Sequence, residues 1–238
     1  KVHAKICVVE KEFDKKIKKY GFVSTGNFNE STAKIYTDFT LFTSNLEILN
    51  DIIKIFDFFK FNYKKFKYNH LILSPYKTQT HFTDLINNEI KNAKKGKNAF
   101  IKIKLNNITS YSMVEELYNA SNNGVKIKMI VRGVCCLIPN VKGMSENIDV
   151  VSVVDKFLEH TRMFVFCNDG DNKTFISSAD WMTRNLANRV EVTCPVIDKN
   201  ISNKLIQIFD IYWKDNVKSR LVNSKNNNEY RNLSKTKL

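Results

Sequence analysis

The sequence predicts an α/β fold made of two related units, in which mixed sheets are flanked by helices. Short apolar runs typical of buried strands alternate with amphipathic stretches along most of the chain, and this alternation favours a layered architecture. A histidine two residues before a basic residue occurs twice, and a loop of small polar residues follows each copy. Such a repeat indicates two units of one architecture. We expect the first to cover residues 1–69, as the later part of a longer domain, and the second residues 70–238.

The composition is that of a folded, strongly basic chain. Its 238 residues are 43% hydrophobic and 12% aromatic, which supports a buried core and argues against disorder. The net charge of +14 indicates a polyanionic partner, for which nucleic acid, an anionic membrane and polyphosphate all qualify. No apolar run approaches the ~20 residues of a membrane span, so we expect a soluble protein. Because the chain starts at Lys1 without a secretory pattern, we expect an internal fragment.

The first unit has two apolar runs that predict strands, residues 2–9 and 36–43, with a polar loop at residues 24–30 between them. The lysine-rich residues 15–19 predict a solvated hairpin or loop. Ser44 is a candidate cap for a helix, because the apolar residues after it recur on one helical face.

The second unit begins near His70, where a basic aromatic stretch gives way to an apolar run. A capping box at Ser112 and Glu115 predicts the start of one helix, and Gly124 predicts its end. Two further helices are predicted over residues 83–94 and 201–213, and strands over residues 100–105, 126–131, 149–154, 163–167, 174–177 and 190–195. The Asn- and Lys-rich tail after Ser224 is expected to fray.

The first candidate site is His3 with Lys5, which would share one face of a strand because side chains alternate along it. The imidazole can act as nucleophile or acid near neutral pH, and the ammonium can hold phosphate oxygens. The loop at residues 24–30, with Asn27 at its centre, contains the small hydroxyl, glycine and amide groups that allow close approach to an anion.

The second copy consists of His160 and Arg162, followed by the loop at residues 177–181, which includes Asp180. If the two units pack around a pseudo-two-fold axis, the two histidines face one another. They would then supply a nucleophile and a proton donor for phosphoryl transfer.

This arrangement resembles the phospholipase D superfamily, in which two domains supply one shared site. A closer resemblance, to type 1 polyphosphate kinases, runs in order over nearly the whole chain. It is carried by the motifs Val2-His3-Ala4-Lys5, Ser24-Thr25-Gly26-Asn27-Phe28-Asn29-Glu30, Ile35-Tyr36-Thr37-Asp38, Val131-Arg132-Gly133, Ile138-Pro139-Asn140, Ser145-Glu146-Asn147-Ile148, Phe157-Leu158-Glu159-His160 and Ile176-Ser177-Ser178-Ala179-Asp180-Trp181-Met182.

The resemblance implies a role for four residues. His3 matches the family's phosphohistidine, Tyr36 the tyrosine that contacts the nucleotide base, and Arg132 a phosphate-binding arginine. His160 matches a second active-site histidine that also binds nucleotide.

Five further residues are expected to play supporting parts. The repeat suggests this role for Lys5, Asn27, Arg162 and Asp180. Arg189 fits equally well as a phosphate contact or as a surface charge.

The resemblance also implies reversible transfer of the ATP γ-phosphoryl group, through a phosphohistidine, to inorganic polyphosphate. ATP or ADP and polyphosphate would be the substrates. The partners would be upstream domains of the full-length chain and further copies in a homo-oligomer, with no specific nucleic acid. The expected location is a bacterial cytoplasm, which allows peripheral association with a membrane. Mg²⁺ is the expected cofactor, with its ligands ahead of Lys1 and no metal site in this chain. The missing upstream positions leave the activity of the isolated chain open.

Two alternatives remain at this point. A phospholipase D-like phosphodiesterase or nuclease would use the same paired histidines to cleave a diester. A basic nucleic-acid-binding module without catalysis would bind duplex DNA in a salt-sensitive way. The presence of both His-x-basic elements in the chain favours an enzyme over the binding module.

Overall fold

The computed structural model describes residues 1–225 and 227–231. Three sheets are present within this range: one of eight strands, one of three and one of two. Helices lie on both faces of the large sheet, which contains parallel and antiparallel neighbours. The predicted α/β class with mixed sheets flanked by helices is therefore confirmed.

The elements follow one another along the chain as short strands and longer helices. The strands are β1 (Lys5–Phe13), β2 (Lys16–Ser24), β3 (Tyr36–Thr37), β4 (Thr40–Thr43), β5 (Ile72–Ser74), β6 (Phe100–Leu105), β7 (Lys126–Val131), β8 (Ile148–Val153), β9 (Leu158–Glu159), β10 (Met163–Phe166), β11 (Lys173–Ser177), β12 (Glu191–Pro195) and β13 (Ser219–Leu221). The α-helices are α1 (Glu30–Ala33), α2 (Leu46–Lys60), α3 (Thr78–Lys94), α4 (Tyr111–Asn122) and α5 (Lys199–Trp213). A 3₁₀ turn (Asn168–Gly170) and a π-helical turn (Arg184–Asn188) complete the set.

The large sheet has the strand order β13-β8-β7-β6-β10-β11-β12-β5. Only the pairs β6–β7 and β7–β8 are parallel. The β6–β7 connection contains α4, as a parallel crossover requires. The carboxyl ends of β6 and β7 therefore lie side by side, and the loops after them form part of the candidate site.

The side chains of β6 point alternately to the two faces of the large sheet, and each face is covered by helices. Ile101 and Ile103 lie in the core with α3 and α4, whereas Lys102 and Lys104 point to the opposite face, towards α5. That second face also receives α2, whose Ile52 is fully buried there. Truncating a buried isoleucine of this kind typically costs ~2–5 kcal/mol of stability.

The three-stranded sheet, in the order β1-β2-β4, is antiparallel. This sheet belongs to the first unit, residues 1–69, called the first half below; residues 70–238 are the second half. Two backbone contacts join the two halves. Val2 forms a parallel bridge with Val190, and β3 pairs in parallel with β9, Tyr36 opposite Leu158. Both contacts lie next to predicted site residues, so the same hydrogen bonds that join the halves also align the site.

The segment between the halves is fixed by Asp51 of α2. Its buried carboxylate accepts the backbone N–H groups of Asn69, His70 and Leu71 at 2.8–3.1 Å, and Lys54 also donates to it. Burial alone would raise the pKa of Asp51, but these donors outweigh it and hold the pKa below its ordinary value.

Several predicted elements are confirmed to within a residue or two, among them β6, β7, β8 and β12. Others need correction. The first strand begins at Lys5 rather than residue 2, and the run 36–43 is two short strands separated by Asp38 and Phe39. The helix predicted from residue 83 begins at Thr78.

Strand β2 was not predicted as such, because its first half is a lysine-rich and largely exposed hairpin arm. Strand β13 was missed too. It pairs with β8 and is bridged, at Arg220, by Tyr230 of the tail. The frayed tail predicted after Ser224 otherwise falls partly on residues 226 and 232–238, outside the described residues. None of the helices among the described residues combines the length and the apolar composition that a membrane-spanning helix needs.

Candidate active site

A polar cavity of 220 Å³ is lined by residues from both halves of the chain. It brings together seven of the nine predicted site residues: His3, Tyr36, Arg132, His160, Arg162, Asp180 and Arg189. Asn106, Asn107, Leu158, Arg184 and Asn185 also line it. A larger cavity of 570 Å³, beside the start of β6, contains none of the predicted residues. The predicted site residues therefore lie together around the smaller, more polar cavity.

His3 precedes β1 and is held by the other half of the chain. The backbone N–H groups of His3 and Ala4 both donate to the carbonyl of Val190, at 2.9 and 3.0 Å. Its Nδ1 lies 2.9 Å from Oε2 of Glu191. Because a carboxylate only accepts hydrogen bonds, Nδ1 is the donor, and in the neutral ring the lone pair therefore lies on Nε2.

Glu191 is fully buried and has three side-chain partners. Besides His3, Ser178 donates its hydroxyl to Oε2 at 2.5 Å and Asn185 donates its amide to Oε1 at 2.7 Å. Both donors come from the segment after β11. The small-polar loop of the second half thus fixes the carboxylate that orients His3.

His160 has the same kind of partner from the first half. Its Nδ1 lies 2.9 Å from Oδ1 of Asp38, and the hydroxyl of Thr25 donates to that oxygen at 2.7 Å. Burial lowers the pKa of His160 below its ordinary value; Asp38 opposes this and Arg162 adds to it. The imidazole is therefore mainly neutral near neutral pH, with Nε2 as an acceptor.

The two histidine–carboxylate pairs are crosswise. In each half, a loop hydroxyl, Thr25 or Ser178, supports a carboxylate of the same half, and that carboxylate binds the histidine of the other half. The predicted repeat therefore places its two histidines around one cavity, each dependent on the opposite unit.

Gly26 has a steric role in this arrangement. A Cβ built on Gly26 would lie 1.7 Å from Oδ2 of Asp38, far inside van der Waals contact. Only glycine leaves room for the carboxylate behind the loop.

Four arginines line the cavity but differ in their partners. Arg162 is buried and donates from Nε and Nη2 to Asp180 at 3.3 and 3.2 Å. Burial would raise the pKa of Asp180, but Arg162 and the neighbouring donors outweigh it and lower the pKa. Arg132, after β7, uses Nε to donate to Asn106 at 3.1 Å. Within the described residues, Arg184 and Arg189 have no side-chain partner and can bind an anion.

Lys5 and Asn27 do not line the cavity. Lys5 is buried and donates to the carbonyl of His3. Burial lowers its pKa to about 8, although Glu191 opposes the shift. Asn27 is exposed at the tip of its loop, and the nearby Asn29 caps α1 by accepting the N–H of Ser31 at 3.1 Å.

Tyr36 stands beside the second histidine. Its ring centroid lies 5.0 Å from that of His160, with the planes inclined by 58°. The carboxylates of the site are already engaged by histidine, arginine, hydroxyl or amide groups, and no group of three or more potential metal ligands occurs among the described residues. These residues do not provide a Mg²⁺ site.

Sequence reasoning missed the two carboxylates and Arg184. Asp38 stands two residues after Tyr36, within a quoted motif, and Glu191 lies in a strand otherwise made of apolar and small residues. A charged residue inside a run predicted to be buried is itself a signal of a specific partner.

Two family descriptions match this chain. The description "Polyphosphate kinase C-terminal domain 1" matches residues 1–65, and "Polyphosphate kinase C-terminal domain 2" matches residues 71–237.

Curated relatives and solved structures give the same result. A polyphosphate kinase of Vibrio parahaemolyticus is 46% identical over 97% of this chain, and one of Escherichia coli K12 is 39% identical over 97%. In both cases the chain spans 33% of the relative's length. The crystal structure of polyphosphate kinase from Porphyromonas gingivalis superposes with a TM-score of 0.93 at 39% identity, covering 99% of this chain and 37% of that one.

Proposed function

This chain belongs to the polyphosphate kinase family, and we propose that it is the carboxy-terminal catalytic part of a kinase that transfers the γ-phosphoryl group of ATP, through a phosphohistidine, to inorganic polyphosphate. The resemblance noted from its motifs is confirmed at the level of the family. Since the chain spans about a third of its curated relatives, the activity is assigned to a longer protein, in which upstream domains complete the site.

The crosswise histidine pairs carry this proposal. Glu191 holds His3 through Nδ1 and Asp38 holds His160 through Nδ1, so both Nε2 atoms are left for a ligand in one arginine-lined cavity. A pair of oriented imidazoles beside guanidinium groups suits transfer of a phosphoryl group between two polyanions.

In the first step, Nε2 of His3 attacks the γ-phosphorus of ATP. A nitrogen–phosphorus bond forms, the bond from phosphorus to the bridging oxygen breaks, and ADP leaves with the electron pair. The ring then carries positive charge with its proton still on Nδ1, where the buried carboxylate of Glu191 at 2.9 Å stabilises it. Covalent transfer to the enzyme allows one site to serve donor and acceptor in turn.

In the second step, a terminal oxygen of polyphosphate attacks the same phosphorus, and the electron pair of the nitrogen–phosphorus bond returns to His3. Neutral His160 can take the proton of a protonated acceptor on Nε2, because Asp38 holds its Nδ1–H. One phosphoanhydride replaces another, so the reaction should also run towards ATP.

The remaining lining residues bind the substrates in this proposal. Arg132, Arg184 and Arg189 bind phosphate oxygens, for which the planar guanidinium is suited. Tyr36 contacts the nucleotide base beside His160. Lys5 supports His3 through its carbonyl. Magnesium, expected to accompany ATP, has no ligand set here, and no step above uses it.

The test is intact-protein mass spectrometry of the complete kinase mixed with ATP. We expect a mass increase of one phosphoryl group that is lost in His3→Ala and reversed by adding polyphosphate. The half-buried His70, whose Nε2 lies 2.9 Å from Oε2 of Glu47 and which does not line the cavity, provides the matched control His70→Ala, which should still be phosphorylated. Full phosphorylation of His3→Ala would overturn the proposal.

Assays of diester cleavage and of duplex-DNA binding separate the rival activities. A phosphodiesterase would cleave a diester without ATP and would show no ATP-dependent mass change. A non-catalytic module would bind duplex DNA equally well with or without both histidines.

A further inference from the structure

The buried side chain of Lys104 lies directly behind the segment that carries His160. Lys104 is in β6 and is only 2% exposed, and it does not line the cavity. A lysine buried this completely needs specific partners, because its desolvation is costly. Its partners are the residues immediately before and after His160.

The ammonium of Lys104 contacts both neighbours at once. Its Nζ lies 3.1 Å from Oε2 of Glu159 and donates a hydrogen bond to the hydroxyl of Thr161. Side chains alternate along an extended chain, so Glu159 and Thr161 point away from the cavity while His160 points into it. One ammonium group thus contacts the residue before His160 and the residue after it.

The same group reaches the carboxylate partner of His160. Oε2 of Glu159, which faces Lys104, also accepts the hydroxyl of Thr37 at 3.1 Å, and His160 donates its backbone N–H to the carbonyl of Thr37 at 3.2 Å. Thr37 directly precedes Asp38, the residue bound to Nδ1 of His160. The contacts therefore connect Lys104 to the histidine and to the segment that orients it.

Other groups around Lys104 shield it and set its charge. The ring of Tyr212 from α5 lies 4.9 Å from Nζ. Burial lowers the pKa of Lys104 to about 8; Glu159 opposes this, while Arg162 and Arg132 lower it further. The side chain is thus mainly charged near neutral pH and able to pair with Glu159.

We propose that Lys104 is a positioning residue for His160, because its ammonium fixes both sequence neighbours of the histidine and, through Glu159 and Thr37, the segment that carries Asp38. The inference rests on the proposed function of His160. Without this contact, the imidazole loses its fixed direction towards the transferred phosphoryl group.

The test compares Lys104→Met with Lys102→Met in the complete kinase. Methionine keeps the long apolar stem and removes the charge. Lys102 lies on the same strand and face but pairs with Asp210, away from His160, and so provides a matched control. We expect kcat to fall about 100-fold in Lys104→Met, as for a misplaced catalytic group, with little change in KM for ATP, and both constants to stay within about twofold in Lys102→Met.

A second readout does not need activity. In protein labelled with ¹⁵N-histidine, the Nδ1–H of His160 should give a distinct signal because Asp38 holds it, and His160→Ala identifies that signal. We expect the signal to broaden or disappear in Lys104→Met and to persist in Lys102→Met. A wild-type signal together with wild-type kcat in Lys104→Met would overturn the proposal.

Two further variants decide the outcome if Lys104→Met does not fold. Glu159→Gln removes the negative charge that pairs with Lys104, and Thr161→Val removes the hydroxyl that accepts from it, each with little change in shape. Loss of the His160 signal in either supports the proposal, and an intact signal in both contradicts it. If the wild-type protein forms no phosphohistidine, the proposed function fails, while the Nδ1–H signal still decides the positioning role.

Discussion

The two histidines of the cavity depend on carboxylates that come from the opposite half of the chain. Glu191 binds Nδ1 of His3 and Asp38 binds Nδ1 of His160, each at 2.9 Å. A hydrogen bond of this kind fixes both the tautomer and the ring direction. Neither half alone therefore holds a correctly oriented imidazole.

Replacing Asp38 should shift the titration of His160. Asp38→Asn keeps an acceptor for Nδ1–H but removes the charge that opposes burial, so the pKa of His160, already below its ordinary value, should fall further. The protonated form would then appear only at lower pH. An NMR titration of the His160 ring checks this, with Asp57→Asn on α2 as the control. An unchanged or raised pKa in Asp38→Asn would contradict the assignment.

The sequence predicts the nine site residues from two short repeats and a family resemblance, and the cavity contains seven of them. It does not predict the crosswise contacts, because the partners Asp38 and Glu191 belong to segments whose pairing depends on the whole fold. The prediction that Lys5 and His3 share one face of a strand was wrong. His3 lies before the strand, so the two side chains do not share a strand face.

At the level of elements, the best predicted strands are those whose apolar residues are buried in the large sheet. Strands β6 and β7 have apolar runs bounded by glycine or polar loops, and the structure places them as predicted. Strand β2 gives no such signal, because Lys16, Lys18 and Lys19 occupy its exposed half. Its position follows from antiparallel pairing with β1, a contact that local composition does not specify.

Glu89 of α3 joins that helix to the sheet and should make stability depend on pH. Its buried carboxyl group accepts the N–H of Phe100 at 3.2 Å and of Asn168 at 2.6 Å. Burial raises its pKa from 4.5 to about 7, against these hydrogen bonds. Between those values the folded state retains a proton that the unfolded state has released, so stability falls as pH rises.

The variant Glu89→Gln tests this dependence. We expect denaturant unfolding of the wild type to show a loss of up to ~3 kcal/mol between about pH 4.5 and pH 7 from this residue. The amide does not titrate, so the variant should lack that part of the slope, even if it is less stable throughout. Identical slopes in the two proteins would show that Glu89 does not titrate in this range.

At the scale of the whole molecule, two backbone contacts close the halves around the cavity, Val2 with Val190 and Tyr36 with Leu158. The +14 net charge of the chain favours the approach of polyanions. The basic hairpin of β1 and β2 adds exposed lysines outside the cavity.

Polyphosphate binding should therefore depend on salt and on the length of the phosphate chain. Affinity for long polyphosphate should fall steeply between about 50 and about 200 mM salt, because a polyanion that meets many cations releases many counterions. Tripolyphosphate is short enough to contact only the arginines of the cavity, so its affinity should depend less steeply on salt concentration. Calorimetric titration of the complete kinase with both ligands measures this. Equal slopes would place all binding within the cavity.

The most direct test of the account is the identity of the nitrogen that receives the phosphoryl group. Protein labelled with ¹⁵N-histidine is treated with ATP, and the ³¹P–¹⁵N coupling assigns the phosphorylated ring atom. Because Glu191 engages Nδ1 of His3, we expect phosphorylation of His3 at Nε2. Phosphorylation at Nδ1, or on any residue other than His3, would contradict the account.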